Sequence, residues 1–141
     1  MASAVKFEVF AEHLNNKVHD LFGTDDTLKI VIHTDAPVIA TDATLSDLTQ
    51  ITGTGYTAGG EDTQNNGSRS GGTVSVTAVD VVWTAGASDW SASARYVGLY
   101  NDTPVSPADP LMLDWDYGST FQLANGETFT ADFGASVATF S

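Results

Sequence analysis

From Leu28 onward the chain is cut into short stretches in which apolar and polar side chains alternate, each ended within a dozen residues by glycine, proline, asparagine or aspartate. Strict alternation puts successive side chains on opposite faces of an extended backbone. Such stretches therefore bury an apolar face by pairing as strands, not by winding into helices. Thr73 to Ala78 and LMLDWDY (111–117) alternate, LKIVIHT (28–34) reads as a strand from its β-branched residues, Val79 to Trp83 continues apolar, and ARYVGLY (94–100), Thr128 to Phe133 and Val137 to Phe140 complete the set. Tyr96, Gly98 and Tyr100 fall on one face and Arg95, Val97 and Leu99 on the other. Leu111, Leu113, Trp115 and Tyr117 form a core side, and Met112, Asp114 and Asp116 a solvent side. Asn125-Gly126 carries a hairpin signal.

One segment breaks this rule. Phe7, Phe10, Ala11, Leu14, Val18, Leu21 and Phe22 recur at spacings of three and four, which predicts an amphipathic helix over 5–22 ending at Gly23. An early strand is the rival, because Val5, Phe7 and Val9 also alternate. Asp35-Ala36-Pro37 breaks the first strand, and 38–51 reads as a short helical turn or irregular crossing. The glycines of TGTGYTAGG (52–60) suit tight turns around one exposed or anchoring tyrosine, Tyr56. EDTQNNGSRSGG (61–72) is almost free of apolar side chains and predicts a mobile polar loop or hairpin tip. Residues 101–110 read as a loop from their prolines and aspartates.

The expected architecture is a single mainly β domain over 1–141, an antiparallel β-sandwich, jelly-roll-like or barrel-like, with an N-terminal helix or arm over 1–23. At 141 residues and 42% hydrophobic, the chain has enough apolar mass for a real core. It has no cysteine, so disulfides and thiolate chemistry are excluded. Eighteen acidic against five basic residues give a net charge of -13. That balance argues against nucleic acid and against an anionic membrane as partners. Ten acids lie in 1–70 and eight in 71–141, so they describe a solvated surface rather than a tail. The start, Met1 to Lys6, lacks a long apolar core after a basic patch, and no run reaches the length of a membrane helix. The expectation is synthesis in the cytosol.

A search for chemistry finds no catalytic residue, cofactor site or metal site to nominate. His13 and His19 are six apart, on different sides of a helix, and His33 sits at a strand end. They read as scattered surface or interface histidines. Asp114 and Asp116 share a strand face and could hold calcium or act as an acid–base pair, but the simpler reading is a solvent-facing side. No G-x-S-x-G elbow exists, and TGTGYTAGG lacks the Gly-Lys ending of a phosphate loop. Trp90, in a stretch rich in serine, alanine and glycine, is harder to bury than Trp115 and reads as an interface anchor or, less readily, a sugar platform.

Seven pieces in order span nearly the whole chain: VHDLF (18–22), TLKIVIHTDAPV (27–38), TGTGYTAGG (52–60), DVVWTA (80–85), ARYVGLYNDT (94–103), PLMLDWDYGS (110–119) and LANGETFTADF (123–133). Together they resemble a widespread family of small structural proteins encoded in tailed-bacteriophage genomes. The resemblance implies a virion protein on the outer surface of the head, a decoration or cement protein that bridges major capsid subunits as a homo-trimer or homo-dimer. Segment 5–22 and loop 61–72 would be its arms. Phe7, Phe10, Leu14 and Val18 would then pack in an oligomer or capsid interface with Tyr56 and Trp90, unless the helix instead covers the open side of the β layers. The alternatives are a tail or head–tail component recognising the host through Trp90 and 61–72, and a small hydrolase built on Asp114 and Asp116.

Overall fold

The computed structural model describes residues 3–141. The fold is mainly β and antiparallel, with one α-helix. A short strand β1 (Val5–Lys6) leads into helix α1 (Glu8–Asn15), so both readings of the N-terminus hold in part. The helix stops well short of Gly23. Asn16 closes it and Lys17 turns left-handed at φ 58°, which lets the Val18 N–H bond back to the His13 carbonyl at 2.9 Å. Asparagines compete with the helical backbone for hydrogen bonds, and here they end it.

Five strands form the main sheet in the order β1-β8-β7-β2-β3, with β2 at Leu28–His33, β3 at Glu61–Asp62, β7 at Ala94–Asn101 and β8 at Leu111–Phe121. A second sheet orders β10 (Ala138–Phe140), β5 (Thr73–Thr77) and β4 (Asn66–Ser70). A third pairs β6 (Val81–Thr84) with β9 (Thr128–Ala131). Among the described residues no sheet closes into a barrel. The crossing over 38–51 contains one 3-10 turn at Leu45–Asp47, capped reciprocally by Thr44 and Asp47.

The larger core collects Ile30, Ile32, Val97, Leu99, Leu113 and Trp115 from one face of the main sheet. It adds Val76 from the second sheet, Val81, Trp83, Phe129 and Ala131 from the third, and Phe10 from α1. A smaller core of Phe7, Val31, Leu48, Tyr100 and Leu111 covers the opposite face. Both faces of the central strands are thus buried, which alternation alone did not reveal. β8 departs from the expected facing at both ends. A bulge opposite Leu99 and Tyr100 puts Leu111 in the smaller core and Met112 in the larger. At the other end Tyr117 is 57% exposed, not core.

Residues 61–72 are not a mobile loop. Glu61 and Asp62 pair with β2, and Asn66–Ser70 pair along β5, leaving only Gly71-Gly72 as a hairpin tip. Of the polar side chains between them, Thr63 and Asn65 are buried because they bond the backbone at the start of β2, while Gln64 is exposed. Thr63 donates through both its N–H and its hydroxyl to the Leu28 carbonyl, at 3.0 and 2.9 Å. Asn65 accepts from the Leu28 N–H at 2.8 Å and donates to the Asp26 carbonyl at 2.9 Å. Polarity here answers the needs of backbone groups, not of solvent. The run from Thr73 to Trp83 divides into β5 and β6, which join different sheets. The turn at Asn125-Gly126 forms, with Gly126 at φ 85°, but it connects β8 to β9 across sheets instead of closing a hairpin.

Candidate interaction surface

The residues nominated as interface contacts fare unequally. Phe7 (0% exposed) and Phe10 (2%) are consumed by the chain's own two cores. β1 and the start of α1 set them there: the Phe7 N–H bonds the Met112 carbonyl at 3.1 Å, so the segment lies on β8 as a cover. Leu14 is half-buried against the larger core, and Val18 is half-buried. Trp90 (1% exposed) is no surface anchor. Its indole N–H donates to the Thr54 carbonyl at 2.9 Å, and Gly53 lets the backbone lie against the ring, where an added Cβ would sit 2.5 Å from Cδ1. Tyr56 anchors its loop: its hydroxyl donates to Gln50 Oε1 at 2.9 Å and accepts from the Ile32 N–H at 3.3 Å. Burial pushes that phenol well above its ordinary range.

The two aspartates nominated as a cation or catalytic pair are separated in role. Asp114 is 1% exposed and reaches fully buried His33 across the sheet, Oδ2 to Nε2, at 2.6 Å. His33 Nδ1 lies 3.0 Å from the Asp35 carbonyl, an acceptor only, so Nδ1 carries a hydrogen. A single further proton then lies between Nε2 and Oδ2. Burial pushes the Asp114 carboxyl up, opposed by the bond to His33. Gly98 makes room, since a Cβ there would lie 3.3 Å from Asp114 Oδ2 and 3.1 Å from Leu48. His33 is thus a core residue, not a surface one, because its strand is covered on both faces. Asp116 lies outside and binds Arg95 in a fork, Oδ1 to Nε at 2.8 Å and Oδ2 to Nη2 at 2.9 Å. That contact, aided by the Gly118 N–H, draws its carboxyl down to about 2. Each carboxylate is thus engaged by a different partner, Asp114 by His33 and Asp116 by Arg95.

His13 and His19 are also buried, each 8% exposed, and their rings lie 5.9 Å apart. The helix that would have separated them ends between them. No cluster of three or more metal-ligating side chains forms among the described residues.

The surface with the strongest adhesive character is one the sequence did not single out. Tyr117, Phe121 and Phe129 make an aromatic cluster at the far end of β8. Tyr117 meets both rings edge-on at 5.1 and 5.6 Å, and Phe121 stacks on Phe129 at 4.5 Å. A groove of about 290 Å³ opens beside them, lined by Val97, Trp115, Asp116, Tyr117, Phe129, Thr130 and Asp132. A second hollow shares Trp115 and Asp132 with it, so the depression continues toward Gly134 and Ala4. Among the described residues β9 pairs only with β6, and its other edge has no backbone ladder. An aromatic groove beside an unpaired strand edge is a surface suited to another chain. The signal in the sequence was the Tyr117–Phe121–Phe129 set, but alternation assigned Tyr117 to the interior. No family model, curated protein or solved structure matches this chain.

Proposed function

We propose that this chain is a non-enzymatic virion structural protein, a capsid decoration protein that binds across major capsid subunits on the head and assembles with copies of itself. The observation that carries this reading is the aromatic groove around Tyr117, set beside an open strand edge on an otherwise acidic protein. The ordered resemblance to phage structural proteins supports it from the sequence side. The cysteine-free, strongly anionic chain suits a solvated particle exterior. The same reading takes the fold as a sandwich, supported by one core that draws side chains from all three sheets.

The mechanism is mass action. A protein that binds only the assembled shell stabilises it by RT ln(1 + [L]/Kd), about 2.7 kcal/mol per site at a hundredfold excess over Kd. Repeated over a lattice, modest contacts resist rupture. The burial of Trp90 and the strand pairing of Glu61–Asp62 and Asn66–Ser70 remove contacts that this reading and the tail-recognition alternative had both drawn on.

The test is to mix the purified protein with heads lacking it and image them by electron microscopy. Regular added density between capsid subunits, lost in Tyr117→Ser at unchanged circular dichroism, is the expected result. Bare heads, or label confined to tails, would reject the assignment.

A further inference from the structure

We infer that His13 and His19 form an acid-sensitive latch fastening the N-terminal segment to the end of the main sheet. The inference stands on a buried hydrogen-bond network and does not depend on the virion reading.

The network fixes where the protons sit. Asn101, the last residue of β7, accepts from the Thr103 N–H through Oδ1 at 3.1 Å, so its Nδ2 is the end that faces inward. That NH2 donates to His19 Nδ1 at 3.0 Å and to Asp26 Oδ2. His19 Nδ1 is therefore an acceptor, and the neutral ring carries its hydrogen on Nε2. Among the described residues that N–H has no protein partner, and neither has Nδ1 of His13. Unpartnered buried groups are uncommon and call for an explanation.

Neutral, the pair is tolerable; charged, it is not. A proton added to His19 must go to Nδ1, which turns its bond from Asn101 into two donors face to face. It also sets an imidazolium beside His13 in a buried site. One group opposes this, the Asp26 carboxylate, whose Oδ2 already accepts from the Asp20 N–H at 2.6 Å and from Asn101. Asp20, next in the chain, accepts from the Phe22 N–H through Oδ1 at 3.3 Å, and uncharged rings pack beside His19. Phe10 of α1 meets His19 edge-on at 5.1 Å, and Phe140 of β10 lies behind Phe10. Burial prevails, with His13 second, and His19 is drawn down to about 4 against the pull of Asp26. A bridging metal fits the same pair poorly. A metal-bound imidazole donates its other N–H to an acceptor, whereas Asn101 presents a donor there.

Acid would thus break the contact where the chain, turning back at Lys17, is held against α1. The core strands hold their own ladders and need not open with it.

The test is amide hydrogen exchange on the full chain at pH 7.5 and 4.5, corrected for intrinsic rates. Residues 8–20 should lose protection at least tenfold on acidification while the central amides of β2 and β7 keep theirs. In His19→Gln, whose amide oxygen can still accept from Asn101 but cannot titrate, the loss should shrink below threefold. Equal loosening of β2 and β7, or an undiminished loss in His19→Gln, would overturn the latch. Should that variant fail to fold, ring-proton NMR on the wild type decides: a His19 midpoint below 5 supports the inference, and one at or above 6.5 ends it.

Discussion

Asp114 and His33 show how much one pair of side chains can hold. Both are sealed between the sheet and its smaller core, and each satisfies the other's polar atom. Removing one partner leaves a buried polar group without compensation, so Asp114→Ala should cost about 3–5 kcal/mol in urea unfolding. Replacing both with apolar side chains should recover most of that loss, because the desolvation penalty leaves with the pair. Gly60 is a second such point. Its φ is 71°, and a Cβ would lie 1.9 Å from the Ile30 carbonyl oxygen, a backbone atom that cannot swing away. Gly60→Ala should lower the unfolding free energy in urea by more than about 1 kcal/mol, whereas Gly72→Ala, which meets open space, should be nearly silent. His19 adds a pH dependence. Its folded value, about 4, lies below its ordinary 6.5, so between those values the unfolded chain binds more protons. Stability from this group is therefore complete above about pH 6.5 and lost as pH falls toward 4, a change of about 3 kcal/mol at most. Equilibrium unfolding at pH 7 and 4.5, compared with His19→Gln, measures it.

At the scale of elements, the N-terminal segment is a structural cover rather than a detachable arm. β1 pairs with β8 through Val5 and Lys6, and Phe7 and Phe10 fill the two cores on either side of the sheet. Truncating either phenylalanine to alanine should cost about 3–5 kcal/mol. Deleting residues 1–22 should then lower the thermal midpoint followed by circular dichroism by more than about 10 °C, where a free arm would leave it unchanged. Periodicity found the helix but could not find its end, because Asn15, Asn16 and Lys17 differ little in pattern from the residues before them. Strand 61–62 and strand 66–70 were illegible for a different reason. Their stabilising contacts run from Thr63 and Asn65 to backbone groups of Leu28 and Asp26, which carry no hydrophobic signature. By contrast β2, β7 and β9 were readable, since Ile30 and Ile32, Val97 and Leu99, and Phe129 and Ala131 recur two apart toward the larger core.

For the whole molecule, the groove between β8 and β9 is where assembly should be sensitive. On the proposed decoration role, Tyr117→Ser should weaken head binding at least tenfold while leaving the thermal midpoint within about 2 °C, because an exposed side chain contributes little to folding. Sedimentation at rising concentration should separate a trimer or dimer from a monomer that associates only on the head. What the sequence determined by itself was the class of fold: periods of two, turn residues at short intervals and an apolar fraction large enough for a core admit little but an antiparallel β protein. It also placed the tight turns, whose glycines adopt the left-handed or otherwise positive φ expected of them. Only the tertiary structure decided which aromatic side chains are surface and which are core, and which histidines have partners. Alternation names two faces for a strand, but not what covers each. That depends on residues far away in the chain: Leu48 and Phe7 over one face of the main sheet, Trp83 and Phe129 over the other, and nothing over Tyr117.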